Sequence, residues 1–314
     1  MKALLPFSLK RGDVIGVVSP AGVANKAALR RGIKTLVSLG FRVKLGAHVL
    51  ARDSFYAGNH RWRKADLNGM IRDPAVKAIL CARGGYGSVY LLEDLDYKTL
   101  RRQAKIIMGA SDVTVLLNTI HARTGLITFH GPMVATNFSK GEAGVDLDSF
   151  RNALMGGGEG GQTRSWSLPL RREEVIRPGR DSGRLVGGCL SLLISSLGTP
   201  YEFNSADSIL FIEDVNEPPY RLDRMLKQLG DAGKFRQVHG VVLGDMLNCV
   251  DEKHPRWKAQ NVLESYFRNF KGPVIRGLHS GHTRNPFVTL PIGVRVTLDT
   301  RADPRLIVEE ATTR

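Results

Sequence analysis

The stretch "KIIMGASDVTVLLNTI", residues 105–120, decides the fold that we predict. The apolar run Ile106–Met108 has the composition of a buried strand, and Gly109 begins a turn. The apolar pattern resumes at Val113 with helical spacing, so the stretch predicts strand, tight turn and helix. Ser111 lies at the turn. It is either a nucleophile exposed at the sheet edge or, like Asp112, the polar cap of a helix.

The same alternation of strand and helix continues on both sides of this stretch. We predict strands in 12–22, 41–46, 76–88 and 125–133, and helices in 25–40, 61–73 and 89–96. This order is typical of an α/β fold with a parallel sheet. Sites in such sheets lie beyond the carboxyl ends of the strands, where the Gly-rich loop 83–88, Ser111 and His130 all fall.

A glycine-rich break, "MGGGEGGQTRS" at 155–165, divides the chain into two halves. We interpret it as a linker or mobile loop. The predicted domains are therefore 1–154, carrying the nucleophile, and 181–314, with 155–180 as the linker. The second half again predicts strands and helices, among them the strand that ends in "LFIEDV" and the helix that follows Pro218–Pro219.

Composition indicates an ordinary globular protein that we expect in the cytoplasm. The 314 residues are 42% hydrophobic, and no run approaches the roughly 18 apolar residues of a membrane helix. The start of the chain lacks the long apolar region of a signal peptide. Cys81, Cys189 and Cys249 are far apart, which predicts buried free thiols rather than a disulfide framework.

The net charge of +15 is concentrated in the first half of the chain. Residues 1–155 hold 23 Lys and Arg against 11 Asp and Glu, a net charge of +12. Such a surplus attracts either nucleic acid or a small anionic substrate. Because the charges are scattered and no nucleic-acid motif accompanies them, we predict no nucleic-acid partner, and a basic nucleic-acid-binding protein remains a remote alternative.

Further side chains with catalytic chemistry follow other predicted strands. The loop "CARGGYGS" offers backbone N–H groups for an oxyanion, although a tight turn also explains its glycines. Glu213 ends an apolar strand, where a carboxylate can orient a histidine, and Glu217 is its rival. His282 can act as a general base. His279 and His282 could suggest a metal pair, but no Cys or acidic cluster near them in sequence completes a metal site.

Taken together, these blocks resemble a known family. The stretches "GDVIGVVSPAG", "CARGGYGSVYLLEDLD", "GASDVT", "FHGPM", "GRLVGGCLSLLISSLGTPYE", "LFIEDVNEPPYRLDRML" and "GHTRNPFVTLPIGVRVTLD" are similar to those of the LD-carboxypeptidases, serine peptidase family S66. They occur in the family's order over nearly the whole chain.

The resemblance implies a Rossmann-like N-terminal domain, a smaller mixed α/β C-terminal domain, a homodimer, and no metal or cofactor. It implies a triad of Ser111, Glu213 and His282, with the backbone N–H groups of Gly85 and Asp112 as the oxyanion hole. It also favours Glu213 over Glu217. Cys189 departs from the family's pattern, in which we expect asparagine.

The activity implied is cleavage of the L,D-peptide bond before the terminal D-alanine of murein tetrapeptides, in cell-wall recycling. Arg83 and Arg284 lie beside the proposed site loops, so either could bind the substrate's carboxylate. A subgroup of the family hydrolyses microcin C-like peptidyl or aminoacyl nucleotides, and this is the alternative. Trp166 or Trp257 would then supply an aromatic wall for the nucleobase.

Overall fold

The computed structural model describes residues 3–156 and 165–314, and it divides into two units. The first unit comprises Met1–Arg164, Asn285–Gly293 and Ala311–Arg314, and the second comprises Ser165–Arg284 and Val294–Glu310. Each unit is built from helices and its own sheet, which confirms the predicted α/β class with a smaller second domain.

The first unit contains a six-stranded sheet in the order β12-β5-β4-β3-β1-β2. All neighbours are parallel except β12, which pairs antiparallel with β5 at one edge. Its strands are β1 (Val14–Val18), β2 (Arg42–Leu45), β3 (Val76–Cys81), β4 (Ile106–Gly109), β5 (Thr128–His130) and β12 (Leu290–Ile292). Its helices are α1 (Lys26–Ser38), α2 (His60–Arg72), α3 (Tyr97–Gln103), α4 (Thr114–Thr124) and α5 (Leu147–Leu154).

Local sequence explains where the first helices begin. Asn25 accepts a hydrogen bond from the Ala28 N–H at 2.9 Å, and Asn59 accepts one from the Trp62 N–H at 3.0 Å. Each asparagine thus satisfies one of the N–H groups that a helix start leaves unpaired. Strands β3 and β4 are almost wholly buried, as expected for parallel strands covered on both faces.

The second unit contains an eight-stranded sheet in the order β6-β14-β13-β8-β9-β10-β11-β7. The four central strands β8 to β11 are parallel, and the outer ones pair antiparallel. Its strands are β6 (Trp166–Pro169), β7 (Val175–Arg177), β8 (Arg180–Cys189), β9 (Ser208–Val215), β10 (Val238–Leu247), β11 (Val274–Leu278), β13 (Arg295–Asp299) and β14 (Arg305–Val308). Its helices are α6 (Leu190–Ser196), α7 (Pro219–Asp231) and α8 (Ala259–Phe267).

A hydrophobic core joins the three helices of the second unit to one face of its sheet. It includes Leu193 of α6, Leu226 of α7, Phe267 of α8 and Leu210 of β9, none more than 1% exposed. At about 25 cal/mol per Å² of apolar surface buried, such side chains each contribute on the order of 2 kcal/mol to folding. This packing fixes β9, which carries Glu213.

The predicted linker over 155–180 is wrong in its second part, because β6 and β7 lie there. They pair with β14 and β11, which are far away in sequence, and a local pattern cannot reveal such pairings. The loop predicted at 155–165 falls mostly outside the described residues. The short helix predicted at 89–96 is a 3₁₀ turn, Ser88–Leu91, and α3 follows it unpredicted.

None of the helices in the described parts of the chain is long and apolar enough to cross a membrane.

Two helical glycines differ in their surroundings and provide a matched test of the packing. A Cβ added to Gly32 in α1 would lie 1.8 Å from the Val134 carbonyl oxygen, whereas one added to Gly69 in α2 would meet nothing within 4 Å. We expect Gly32→Ala to lower the free energy of unfolding by about 1–3 kcal/mol through overpacking. Gly69→Ala should raise it by up to about 1 kcal/mol through helix propensity. Urea unfolding of both variants checks this, and equal effects would contradict the close approach of α1.

Candidate active site

Ser111 lies where β4 ends, at the start of a 3₁₀ turn that leads into α4. Its φ is +62°, in the left-handed region that non-glycine residues rarely adopt. Neither the 3₁₀ turn nor α4 has a capping side chain, so the helix-cap interpretation of Ser111 is not supported. A strained turn of this kind presents a side chain at the edge of a sheet, as a nucleophile requires.

The Gly-rich loop packs directly against this turn. A Cβ on Gly84 would lie 2.7 Å from the Ser111 Cβ and 2.9 Å from its Oγ, so only glycine fits there. On the other side, the Gly22 N–H donates a hydrogen bond to the Gly84 carbonyl at 3.0 Å. The loop after β3 is thus held between the loop after β1 and Ser111, at the carboxyl ends of three adjacent strands.

The side chain of Asp112 connects the Gly-rich loop to the turn at Ser111 by hydrogen bonds. Its carboxylate accepts hydrogen bonds from the N–H groups of Gly87 at 3.2 Å and Ser88 at 2.8 Å. In return, the Ser88 hydroxyl donates to the Asp112 carbonyl at 2.7 Å. Asp112 is only 2% exposed, so these bonds are shielded from water. The local sequence indicated only a helix cap for this side chain, because its contacts with the loop join residues 24 and 25 positions apart.

Two backbone N–H groups in this region are available to a ligand. The Gly85 N–H donates no hydrogen bond within the described part of the chain, and Gly85 has a φ of +114°. Asp112 lies in the first turn of the 3₁₀ segment, where N–H groups have no partner in the helix itself. Donors fixed in this way can stabilise a developing negative charge.

In the second unit, Glu213 and His282 form a buried pair. The Glu213 Oε2 accepts a hydrogen bond from the ring Nδ1 of His282 at 2.8 Å and another from its backbone N–H at 2.9 Å. Glu213 is 0% exposed, and the His282 side chain is 25% exposed. With Nδ1–H donating to the carboxylate, the lone pair of the neutral ring lies on Nε2, which can then accept a proton.

The carboxylate also controls the protonation of the ring. Burial by itself lowers the pKa of His282, but the hydrogen bond to Glu213 and the charge of that carboxylate outweigh it. The pKa of His282 is therefore raised above its ordinary value of 6.5. An imidazolium formed at Nε2 is stabilised by the same contacts.

Two glycines enclose Glu213. Gly281 has a φ of +89°, and a Cβ there would lie 2.2 Å from the Glu213 Cδ. A Cβ on Gly244 in β10 would lie 2.8 Å from the Glu213 Cβ. The loop that carries His282 thus approaches the carboxylate as closely as a backbone can, which explains the Gly281–His282 sequence.

The other residues singled out by the sequence have different partners. Glu217 lies 3.5 Å from Arg221 on α7, and His279 lies 3.3 Å from Asp245, so neither takes part in the buried pair. Arg83 donates to the Val23 carbonyl at 3.2 Å in the first unit. In the second, Arg284 donates to the Asn248 side chain at 3.1 Å. Both arginines belong to exposed hydrogen bonds, and neither has a buried anionic partner among these contacts.

Cys189 is brought to the buried pair by the fold. It ends β8 and stands opposite Glu213 in the register of β8 and β9. Its Sγ, a Glu213 oxygen and a His282 nitrogen all lie within 4.8 Å of one another. Cys189 is far from His282 in the sequence, and the strand pairing brings the two together. The signals in the sequence were the position of Cys189 at the end of a predicted strand and its departure from the asparagine expected there.

Comparison with known proteins identifies the family. The LD-carboxypeptidase N-terminal domain matches residues 15–131, and the LD-carboxypeptidase C-terminal domain matches residues 182–298. A "probable murein peptide carboxypeptidase" of Bacillus subtilis (strain 168) is 38% identical over 305 residues, covering 97% of this chain and 94% of that protein. The chain belongs to the LD-carboxypeptidase family.

Two solved structures have the same fold as this chain. The microcin C7 self-immunity protein MccF in complex with glutamyl sulfamoyl guanosine has a TM-score of 0.90 at 27% identity, covering 99% of this chain and 100% of that one. A muramoyltetrapeptide carboxypeptidase from Oxalobacter formigenes has a TM-score of 0.82 at 29% identity, covering 96% and 100%. The fold and family implied by the sequence blocks are thereby confirmed.

The raised pKa of His282 is testable without any substrate. We expect Glu213→Gln to lower the pKa of His282, because burial remains while the carboxylate charge is lost. Glu217→Gln, the matched control, should leave it unchanged. NMR titration of the imidazole protons measures both. An unchanged pKa in Glu213→Gln would contradict an ionised Glu213.

The same shift has a consequence for stability. Because the folded-state pKa of His282 is raised, the pair's contribution is fully present below about pH 6.5 and is lost as pH rises through the raised pKa. The difference in free energy of unfolding between wild type and Glu213→Gln should therefore shrink as pH rises through that range.

Proposed function

We propose that this protein is a serine LD-carboxypeptidase that hydrolyses the bond before the terminal D-alanine of murein tetrapeptides. The observation that carries this proposal is the buried Glu213 that accepts both N–H groups of His282. A histidine held in this tautomer is the general base of a serine hydrolase. Family membership and the names of the relatives support the substrate class.

In this mechanism Ser111, Glu213 and His282 act as a triad. The His282 Nε2 takes the proton from the Ser111 hydroxyl as Oγ bonds to the carbonyl carbon. The oxyanion is stabilised by the N–H groups of Gly85 and Asp112. As the C–N bond breaks, the proton passes from Nε2 to the leaving amine, and D-alanine departs. Water then attacks the acyl-enzyme, giving its proton to Nε2, and Ser111 is released.

The charge of the protein agrees with an anionic substrate. A peptide stem that ends in a carboxylate is attracted by the net charge of +15. Arg83 and Arg284 are our candidates for binding that carboxylate. We further propose a homodimer that acts in the cytoplasm on cell-wall fragments, in keeping with the three free cysteines.

A second candidate function is hydrolysis of peptidyl or aminoacyl nucleotides, of which the glutamyl sulfamoyl guanosine bound to MccF is an analogue. A cavity of about 1090 Å³ in the second unit favours it, since its lining includes Tyr220, Trp257 and Arg256. Trp257 is 49% exposed and could stack on a nucleobase. Trp166, the other residue that the sequence suggested, lies on the edge strand β6.

The reaction and the nucleophile can be tested together. We expect wild-type protein to release D-alanine from a synthetic L-Ala-γ-D-Glu-diamino acid-D-Ala tetrapeptide. Ser111→Ala should lower kcat about 10⁴-fold or more, because the acyl-enzyme cannot form. Ser38→Ala, in which the lost hydroxyl donates to the Thr35 carbonyl, is the matched control and should keep full activity. Full activity in Ser111→Ala would refute the mechanism.

The same proteins discriminate between the two substrates. Cleavage of an aminoacyl-sulfamoyl adenosine by wild type, without release of D-alanine, would move the assignment to the second function. Because the base must be neutral, the rate on either substrate should rise with pH through the raised pKa of His282.

The two arginines can be separated by changing the substrate's charge. Replacing the arginine that binds the terminal carboxylate by glutamine should raise KM roughly 10- to 100-fold, the value of a hydrogen bond to a charged group. A tetrapeptide that ends in a carboxamide should show a much smaller difference between wild type and that variant. Steady-state kinetics of Arg83→Gln and Arg284→Gln on both peptides measure this. If neither KM changes, neither arginine binds the carboxylate.

A further inference from the structure

In the second unit, a cysteine side chain lies close to the pair formed by Glu213 and His282. Cys189, Glu213 and His282 each offer one ligand atom, and these atoms lie within 4.8 Å of one another. Cys189 is 2% exposed and Glu213 is 0% exposed. The mechanism proposed above uses the glutamate and the histidine but assigns nothing to the cysteine.

The combination of sulfur, nitrogen and oxygen ligands is characteristic of zinc sites. Zinc binds cysteine sulfur at about 2.3 Å and histidine nitrogen or carboxylate oxygen at about 2.0–2.2 Å, so the ligands of one ion lie roughly 3–4 Å apart. The three atoms here are already close to that spacing.

The electrostatics of the cluster favour a cation. The Asp214 Oδ1 lies 3.6 Å from the Cys189 Sγ, which adds a second buried carboxylate beside Glu213. The Cys189 thiol therefore lies beside two buried carboxylates, Glu213 and Asp214. The negative groups that disfavour a thiolate attract a divalent ion, whose charge offsets theirs.

We propose that Cys189, Glu213 and His282 form a binding site for a divalent transition metal ion, with Zn²⁺ the best fit, and that its occupation switches the hydrolase off. The proposal that the ion binds rests only on the geometry of the three side chains. The inhibition rests on the proposed function, since it requires His282 to be the general base.

The inhibitory step follows from the proton balance. The ion displaces the proton of the Cys189 thiol, which leaves to solvent, and takes the place of the proton between His282 Nδ1 and Glu213. When the ring is neutral, that second proton moves to Nε2. A ring bound through Nδ1 and protonated on Nε2 has no lone pair for the serine proton. Glu213, now a metal ligand, no longer stabilises an imidazolium.

Cobalt provides a direct test, because Co²⁺ adopts zinc-like sites and has a thiolate charge-transfer band in the near ultraviolet. We expect titration of the wild-type protein with Co²⁺ to produce this band with one ion per chain, and Zn²⁺ to abolish it. Cys189→Ala should lack the band. Cys249→Ala, which removes another buried cysteine outside the cluster, should retain it. Absence of the band in wild type overturns the proposal, and so does its retention in Cys189→Ala.

A loss of folding in the alanine variant would not obscure this result. Circular dichroism checks the fold of each variant, and Cys189→Ser preserves the side-chain size if Cys189→Ala fails. Should both fail, the wild-type titration still decides, together with Glu213→Gln. That variant should bind Co²⁺ at least tenfold more weakly, and unchanged affinity would overturn the proposed ligand set.

The inhibitory effect is tested with the D-alanine assay. Zn²⁺ should inhibit wild type and Cys249→Ala, with activity restored by a chelator, and each protein is compared with its own metal-free rate. In the folded Cys189 variant the inhibition constant should rise at least tenfold. Equal inhibition of both variants overturns the switch. A cobalt band in a protein that hydrolyses no substrate would overturn the proposed function instead and leave the metal site in place.

Discussion

The hydrogen bonds between Glu213 and His282 are the interaction on which the proposed chemistry of the second unit depends. An ionised carboxylate that is 0% exposed is costly, by several kcal/mol, unless donors satisfy it. Here the ring and the backbone of one residue both donate to the same oxygen. The arrangement requires a loop backbone that passes directly over the carboxylate, and only glycine at 281 allows this approach. The conformation of the loop after β11 therefore determines whether the buried carboxylate has its hydrogen-bond donors.

In the first unit, too, a buried carboxylate accepts hydrogen bonds from a loop. Asp112 is buried and satisfied by two loop N–H groups, and its carbonyl accepts the Ser88 hydroxyl. In both units a polar side chain ends or follows a central parallel strand, where the sheet can no longer supply backbone partners. The loops then fold back to supply the donors. In each unit, hydrogen bonds to a buried carboxylate connect a loop to the end of a strand.

Much of this could be predicted from local sequence, and the reasons are visible in particular elements. The turn at Ser111 was predictable because a wholly apolar strand meets Gly109 and a helical pattern resumes within four residues. Glu213 was predictable as the acid at the end of an apolar strand. The edge strands β6 and β7 were not, since they are half exposed and are stabilised by partners more than 90 residues away. The proximity of Cys189 to Glu213 depends on the register of β8 and β9, and no local pattern encodes it.

The left-handed conformation of Ser111 is held in place by the loop that packs against it in the first unit. A non-glycine residue at φ +62° costs of order 1–3 kcal/mol, and it persists only where its surroundings hold it. Three hydrogen bonds join Asp112, the next residue, to the loop at 87–88, and Gly84 packs against the serine side chain. Relaxing the serine would therefore displace the loop and leave a buried carboxylate without its donors. The hydrogen bonds to Asp112 therefore hold the serine turn and the loop together against the strain, which is the preorganisation that the proposed acyl transfer requires.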